Sequence, residues 1–196
     1  MILTHRLQEA INEAARLHKD QFRKDALRTP YITHLVGVMI LLSSATHDED
    51  ILIAGLLHDA LEDVEDFMPE HLEKKFGTRV KDIVMGVTES SKLHGTPHDS
   101  WKEVKDAYLE NIRNAPEESV LVSLADKIQN TRSLIEMIHA SEGKELEKFG
   151  STHEERVWFN EEVLKIGEER LGDDHVLVDE FRMETEEMKK ALAMFA

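Results

Sequence analysis

Eleven histidines and 14 aspartates in 196 residues should form a His-Asp pair about once by chance, yet the pair occurs three times. His47-Asp48 stands at a helix start among Glu49 and Asp50, where Asp48 suits a cap and His47 a solvated neighbour. His98-Asp99 falls in a polar stretch. His58-Asp59 differs, because it interrupts an otherwise apolar helix pattern from Ile53 to Leu61. Burying either group alone costs on the order of several kcal/mol unless it is paired or metal-bound. Glu62 and Asp63 follow, and the spacings 58/62 and 59/63 set four titratable groups on adjoining strips of one helical face. Without further partners, Glu62-Asp63 would read equally well as the wet end of a helix leaving the core.

Two more ionisable residues fall in apolar helix patterns. His34 opens the run Leu35 to Leu42, and Asp126 interrupts Val120 to Ile128, with Asn130 one turn beyond it on the same face. Alone, His34 would read as a satisfied core histidine. Two neutral imidazoles and two carboxylates together suit one divalent ion of intermediate hardness, Mn²⁺ first, with Fe²⁺, Co²⁺, Ni²⁺ or Zn²⁺ compatible. Four protein donors leave two octahedral positions for water or a phosphate oxygen.

The elements that must carry these residues are helical from end to end. Apolar spacing predicts helices at about 3–21, 33–44, 48–64, 69–75, 78–88, 100–114, 117–139, 152–170 and 175–195. Pro30 disfavours helix at Thr29, Pro69 opens the short fourth helix, and Gly77 stops it. Residues 90–100 and the glycine-interrupted link 141–150 read as loops. No strand-like alternation and no repeat of 20 to 50 residues is visible. The expectation is an all-α fold of roughly 8–10 helices in a single domain over 1–196, with 171–196 as a C-terminal helix whose Leu177, Phe181, Met188 and Leu192 serve packing or a partner surface.

Composition narrows the function. The net charge of −16 repels nucleic-acid backbone and anionic lipid, while leaving room for a small anionic substrate held by basic groups in one pocket. The absence of cysteine removes thiolate metal sites and cysteine nucleophiles and fits a reducing cytoplasm. No apolar run is long enough for a membrane helix. The opening Met-Ile-Leu-Thr-His-Arg lacks a signal-peptide layout.

His34, His58-Asp59 and Asp126 follow the order H…HD…D of the HD-domain phosphohydrolases. The surrounding words are more specific. Phe22-Arg-Lys24, Thr29-Pro-Tyr-Ile-Thr-His34, Gly55-Leu-Leu-His-Asp-Ala-Leu-Glu-Asp63, Phe76-Gly-Thr-Arg-Val80, Val87-Thr88 and Leu124-Ala-Asp-Lys-Ile-Gln-Asn-Thr-Arg-Ser-Leu134 resemble the hydrolase domain of RelA/SpoT-type alarmone enzymes across about 10–170. With no synthetase domain attached, the chain resembles a small alarmone hydrolase. It departs from the usual pattern at Asp25-Ala-Leu-Arg28, one residue longer and without the glycine. It departs again at Leu35 for a common proline, Gln129 for a common histidine or tyrosine, and Ser133 for a common threonine.

The resemblance implies Mn²⁺-dependent hydrolysis of guanosine 3′-diphosphate 5′-di- or triphosphate to GDP or GTP and pyrophosphate. It implies His34, His58, Asp59 and Asp126 as metal ligands and Glu62 and Asp63 as the acid–base pair. Arg23 would stack on the purine, Lys24 would meet phosphate, Asn130 the ribose or 3′-phosphate, and Arg132 the diphosphate. Read without the resemblance, Arg23-Lys24 is a cationic helix end, Asn130 a surface amide and Arg132 a solvated charge. Trp158 falls where relatives carry an aromatic near the substrate and reads equally as core. Lys92, Lys102 and Lys105 form at most an outer basic rim. The competing readings are an HD enzyme for another nucleotide (an NADPH phosphatase or nucleotidase) and a non-catalytic alarmone sensor. A homo-oligomer and an antitoxin role are compatible with the first reading.

Overall fold

In the computed structural model, residues 3–25, 27–89, 100–144, 146 and 151–195 are described. Most of them are helical: α1 His5–Leu17, α2 Ile32–Ala45, α3 Glu49–Leu57, α4 Ala60–Asp63, α5 Pro69–Phe76, α6 Thr78–Val87, α7 Trp101–Asn114, α8 Glu117–Ser141, α9 His153–Leu171 and α10 Val176–Met194. The only strand-like pairing among the described residues is one antiparallel bridge between Phe22 and Pro30. Lys92, His98 and Asp99 of the expected loop, and 145 and 147–150 of the later link, lie outside the described residues.

Local chemistry starts the helices where the sequence marks them. The Thr4 hydroxyl accepts the Leu7 N–H at the start of α1. Ser100 with Glu103 and Thr152 with Glu155 form reciprocal capping boxes, which satisfy otherwise orphaned amides. Asp48 caps α3 through the Asp50 N–H and pairs with Arg79, the structural role expected of the first His-Asp pair.

Two boundaries differ from expectation. The first helix ends at Leu17 rather than near Gln21. His18 turns off the helix, its Nδ1 2.6 Å from Gln21 Oε1, and the Gln21 carbonyl accepts the Tyr31 N–H. Residues 21–23 are thereby drawn into pairing with 29–31. The helix expected over 48–64 breaks after Leu57, and His58-Asp59 form the turn between α3 and α4.

The 25-residue α8 is the central strut, with α2, α3, α6, α7, α9 and α10 packed around it. α2 and α3 lie together, apolar on nearly every face, with Leu35, Val38, Leu42, Ile53, Leu56 and Leu57 fully buried. Gly55 permits their close approach, because a Cβ there would sit 2.3 Å from Leu42 Cδ1. The strip Leu177, Phe181, Met188 and Leu192 of α10 is buried against α8 and α9. It packs the interior and leaves no room for a partner there.

Candidate metal centre

His34 opens α2, His58 and Asp59 occupy the break between α3 and α4, and Asp126 projects from the middle of α8. Both residues of the turn keep right-handed helical dihedrals, φ −60 and ψ −35 at His58 and φ −87 and ψ −5 at Asp59. Their side chains nevertheless converge, with Asp59 Oδ2 3.1 Å from His58 Nε2. His34 Nε2 lies 3.4 Å from His58 Nε2, 3.4 Å from Asp59 Oδ2 and 3.2 Å from Asp126 Oδ1. His58 Nε2 is 3.5 Å from Asp126 Oδ1. Donors bonded at about 2.1 Å to one cation are separated by about 3.0 Å at right angles and about 3.4 Å at tetrahedral angles. Donor atoms of His34, His58 and Asp126 all lie within 4.8 Å of one another and fit a shared divalent ion, and Asp59 Oδ2 approaches it from the side of the two histidines.

Charge supports the same reading. Burial opposes the charged form of both histidines, yet the Asp126 and Asp59 carboxylates raise both pKa values, that of His58 strongly. Burial likewise opposes the ionised aspartates, but His58 and His34 hold Asp59 below its ordinary range, and Lys127 with the two histidines holds Asp126 far below it. Lys127 answers one of the two carboxylate charges, at 2.6 Å from Asp126 Oδ2. A divalent cation would supply the rest once the imidazoles have released their protons.

Glu62 stands one turn beyond Asp59, half-buried, its Oε1 accepting the Glu89 N–H at 2.7 Å. Burial pushes its carboxyl up to about 7, with the Asp59 and Glu89 charges adding to the rise and the Glu89 N–H bond opposing it. Asp63 is exposed, and its backbone carbonyl accepts Gln21 Nε2. The two carboxylates thus face different surroundings.

Arg23 reaches the centre through Asn130. Its guanidinium donates to Asn130 Oδ1 at 2.9 Å, and Asn130 Nδ2 donates to Asp126 Oδ1 at 2.5 Å. The lengthened segment after Lys24 keeps this register, because the Arg23 N–H donates to the Thr29 carbonyl and the Thr29 N–H to Asp25 Oδ1. Arg28 turns the corner at φ 54, a left-handed conformation that glycine would adopt without strain. Lys24 is exposed. Arg132 is drawn away from Asp126 and Asn130 into ion pairs with Glu180 and Glu184 of α10, neither of which the motif reading considered.

Three side chains at the centre stand within the quoted motifs but carry no role in the motif reading. Tyr31 donates its hydroxyl to Asp59 Oδ2 at 2.7 Å. Gln129 Oε1 lies 2.5 Å from His34 Nδ1. Lys127 Nζ sits 2.6 Å from Asp126 Oδ2, over the rings of Tyr108 and Phe159. Lys127 did carry a signal, being a cation in an apolar helix beside a suspected ligand. Lys105 pairs with Glu89, and Lys102 lies 3.9 Å over the ring of Trp158, which meets Trp101 edge to face. These lysines and aromatics form one interleaved cluster over α7 and α9.

An all-helical core that brings a distant histidine, a His-Asp pair and a distant aspartate to one point has the arrangement of an HD-type phosphohydrolase. The family described as HD domain matches residues 10–150, and the chain belongs to it. Within that family it is similar to the small guanosine-3′,5′-bis(diphosphate) 3′-pyrophosphohydrolases called MESH1. The Drosophila melanogaster protein is 37% identical over 131 residues, covering 66% of this chain and 69% of that one. The Homo sapiens protein is 38% identical over 130 residues, covering 65% and 69%. A solved structure described as a metazoan ortholog of SpoT that hydrolyzes ppGpp superposes with a TM-score of 0.73 at 28% identity, covering 98% of this chain and 99% of that one. No helix among the described residues is long and apolar enough to cross a membrane.

Proposed function

We infer that the chain is a small alarmone hydrolase. It removes the 3′-diphosphate of guanosine 3′-diphosphate 5′-di- or triphosphate as pyrophosphate, acting as one domain in the cytoplasm. The observation that carries this reading is the convergence of His34, His58, Asp59 and Asp126 with Glu62 one turn beyond, in a chain similar over two thirds of its length to enzymes named for that reaction. The four residues would hold one divalent ion, Mn²⁺ by the hardness of the mixed N/O set. When bound, the ion supplies Lewis acidity toward water and phosphate oxygens.

The remaining steps belong to the chain. Glu62, with its carboxyl near neutrality, accepts a proton from the attacking water. The water oxygen bonds to the phosphorus attached to O3′, the P–O3′ bond breaks, and the proton held by Glu62 completes the departing 3′-hydroxyl. Asp63 orients the water from the solvent side. Lys127 keeps Asp126 ionised and balances the carboxylate cluster. Arg23 offers a flat cation to the purine, Asn130 an amide to the ribose or 3′-phosphate, and Lys24 a point charge to phosphate. Arg132 serves the diphosphate only by leaving Glu180 and Glu184.

Incubating the purified protein with Mn²⁺ and guanosine and adenosine 3′-pyrophosphates, NADPH and deoxynucleotides, then identifying products by mass, tests the reading. Pyrophosphate with GDP or GTP is the expected result. Orthophosphate from NADPH alone would replace the substrate assignment.

The same panel tests base recognition. Arg23→Lys keeps the charge but loses the planar face, so KM for the guanosine compound should rise about tenfold, the scale of a desolvated cation–π contact. Metal affinity should hold. Lys24→Arg should change KM less. An unchanged KM in Arg23→Lys for both bases would remove Arg23 from the base site.

A further inference from the structure

The two histidines of the centre are oriented by different means. His58 turns its Nδ1 toward the Gly55 carbonyl at 2.8 Å, a backbone acceptor three residues back. Among the described residues no carbonyl plays that part for His34. Its Nδ1 faces the side chain of Gln129, with Oε1 at 2.5 Å. A ligating imidazole must offer a bare nitrogen to the cation, so its other nitrogen carries the proton and needs an acceptor. His34 Nε2 is the nitrogen that faces Asp59, Asp126 and His58, which leaves Nδ1 as the N–H and Gln129 Oε1 as its acceptor.

The orientation of the amide follows from the imidazole. With Oε1 accepting the Nδ1–H of His34, Gln129 Nε2 is left to face Ser133 Oγ at 3.4 Å, one turn further along α8. Its stem crosses α2 at Gly37, where a Cβ would stand 3.2 Å from Gln129 Cγ. Gly37, Gln129 and Ser133 therefore act as one device. Gln129 and Ser133 are two of the positions at which this chain departs from the usual motif. Gln129 also lies three residues after Asp126, so α8 supplies one donor and steers the donor that faces it.

We propose that Gln129 is a positioning residue that accepts the His34 Nδ1–H and so holds the ring in the orientation that delivers the Nε2 lone pair to the cation. This rests on the metal-centre reading above, and the experiment separates the two.

Mn²⁺ affinity of the wild type, Gln129→Leu and Gln129→Glu is measured by titration, with the free ion followed by its paramagnetic resonance signal. ¹H–¹⁵N imidazole spectra of the Zn²⁺-loaded proteins report whether the His34 Nδ1–H is hydrogen-bonded, through its downfield proton shift and slow exchange with solvent. Gln129→Leu keeps the bulk but offers no acceptor, so Mn²⁺ should bind about 10- to 100-fold more weakly, the scale seen when such partners of ligating histidines are lost. The His34 Nδ1–H signal should move upfield and exchange faster. Gln129→Glu restores an oxygen acceptor and should bind Mn²⁺ at least as tightly as the wild type, with the downfield, protected Nδ1–H signal retained. A purely structural Gln129 would predict equal effects from both variants on folding and none on that signal. Equal Mn²⁺ affinity in the wild type and Gln129→Leu, or an unchanged His34 Nδ1–H signal in Gln129→Leu, would overturn the proposal while leaving the metal centre standing. A wild type that binds no Mn²⁺ would overturn the centre and this role with it.

Discussion

Asp126→Asn should abolish hydrolysis by abolishing the metal site, with the helices intact. Asp126 Oδ1 is the donor that α8 contributes, 3.2 Å from His34 Nε2 and 3.5 Å from His58 Nε2. An amide of the same shape removes one of the two negative charges that the buried cluster presents to a cation. Affinity for Mn²⁺ should fall by more than about 10²-fold, beyond the effect of losing an outer partner of a ligand, and turnover should fall with it. The fold should survive, because the core around α8 is apolar and Lys127 keeps the rings of Tyr108 and Phe159 beneath it. Calorimetric titration with Mn²⁺, circular dichroism and turnover on one preparation decide the matter. A folded Asp126→Asn protein that binds Mn²⁺ within threefold of the wild type would show that α8 contributes no ligand.

Glu62→Gln should separate chemistry from binding, and activity from stability. As the proton acceptor, Glu62 is worth about 10²- to 10⁴-fold in kcat, and its loss should leave Mn²⁺ affinity near that of the wild type. The stability effect runs the other way. The folded protein holds the Glu62 carboxyl at about 7 against an ordinary 4.5, chiefly through burial. Between those values the folded state binds a proton that the unfolded state has released, so stability falls as pH rises from about 4.5 to about 7 and stays reduced above it. The neutral amide removes that cost and still accepts the Glu89 N–H. Metal-free Glu62→Gln should therefore be more stable than the wild type at pH 8, by up to roughly 3 kcal/mol, and no more stable near pH 4.5. Denaturant unfolding at the two pH values measures this difference. A variant no more stable than the wild type at pH 8 would mean that Glu62 is solvated. Full kcat in Glu62→Gln would place the base elsewhere. The parallel Asp63→Asn variant, at an exposed position, should show the kcat loss without the gain in stability.

The all-helical fold was legible because its signals are local. Pro69 and Gly77 bracket α5, Ser100-Glu103 and Thr152-Glu155 cap α7 and α9, and apolar spacing continues through α2, α3 and α8. The candidate donors were legible for a related reason. An ionisable group in an apolar helix requires a partner, and His34, His58, Asp59 and Asp126 each stand in such a setting. The match to the HD domain family over 10–150 agrees with that order of residues.

What remained hidden depends on contacts between distant parts of the chain. Periodicity runs a single helix through His58 and Asp59, where the chain keeps right-handed helical dihedrals but passes through a turn. Tyr31 meets Asp59 across 28 positions, Gln129 meets His34 across 95, and Arg23 meets Asn130 across 107. Spacing along one element carries no trace of such pairings. Arg132 makes the same point in reverse, since its motif implied a phosphate while the packing of α10 sets Glu180 and Glu184 beside it. Residue types and their local order specified which helices form and which groups must find partners. The packing of α2, α3, α8 and α10 specified which partners they find, because a side chain's charge and hydrogen bonds are satisfied by whatever the fold brings within about 3 Å.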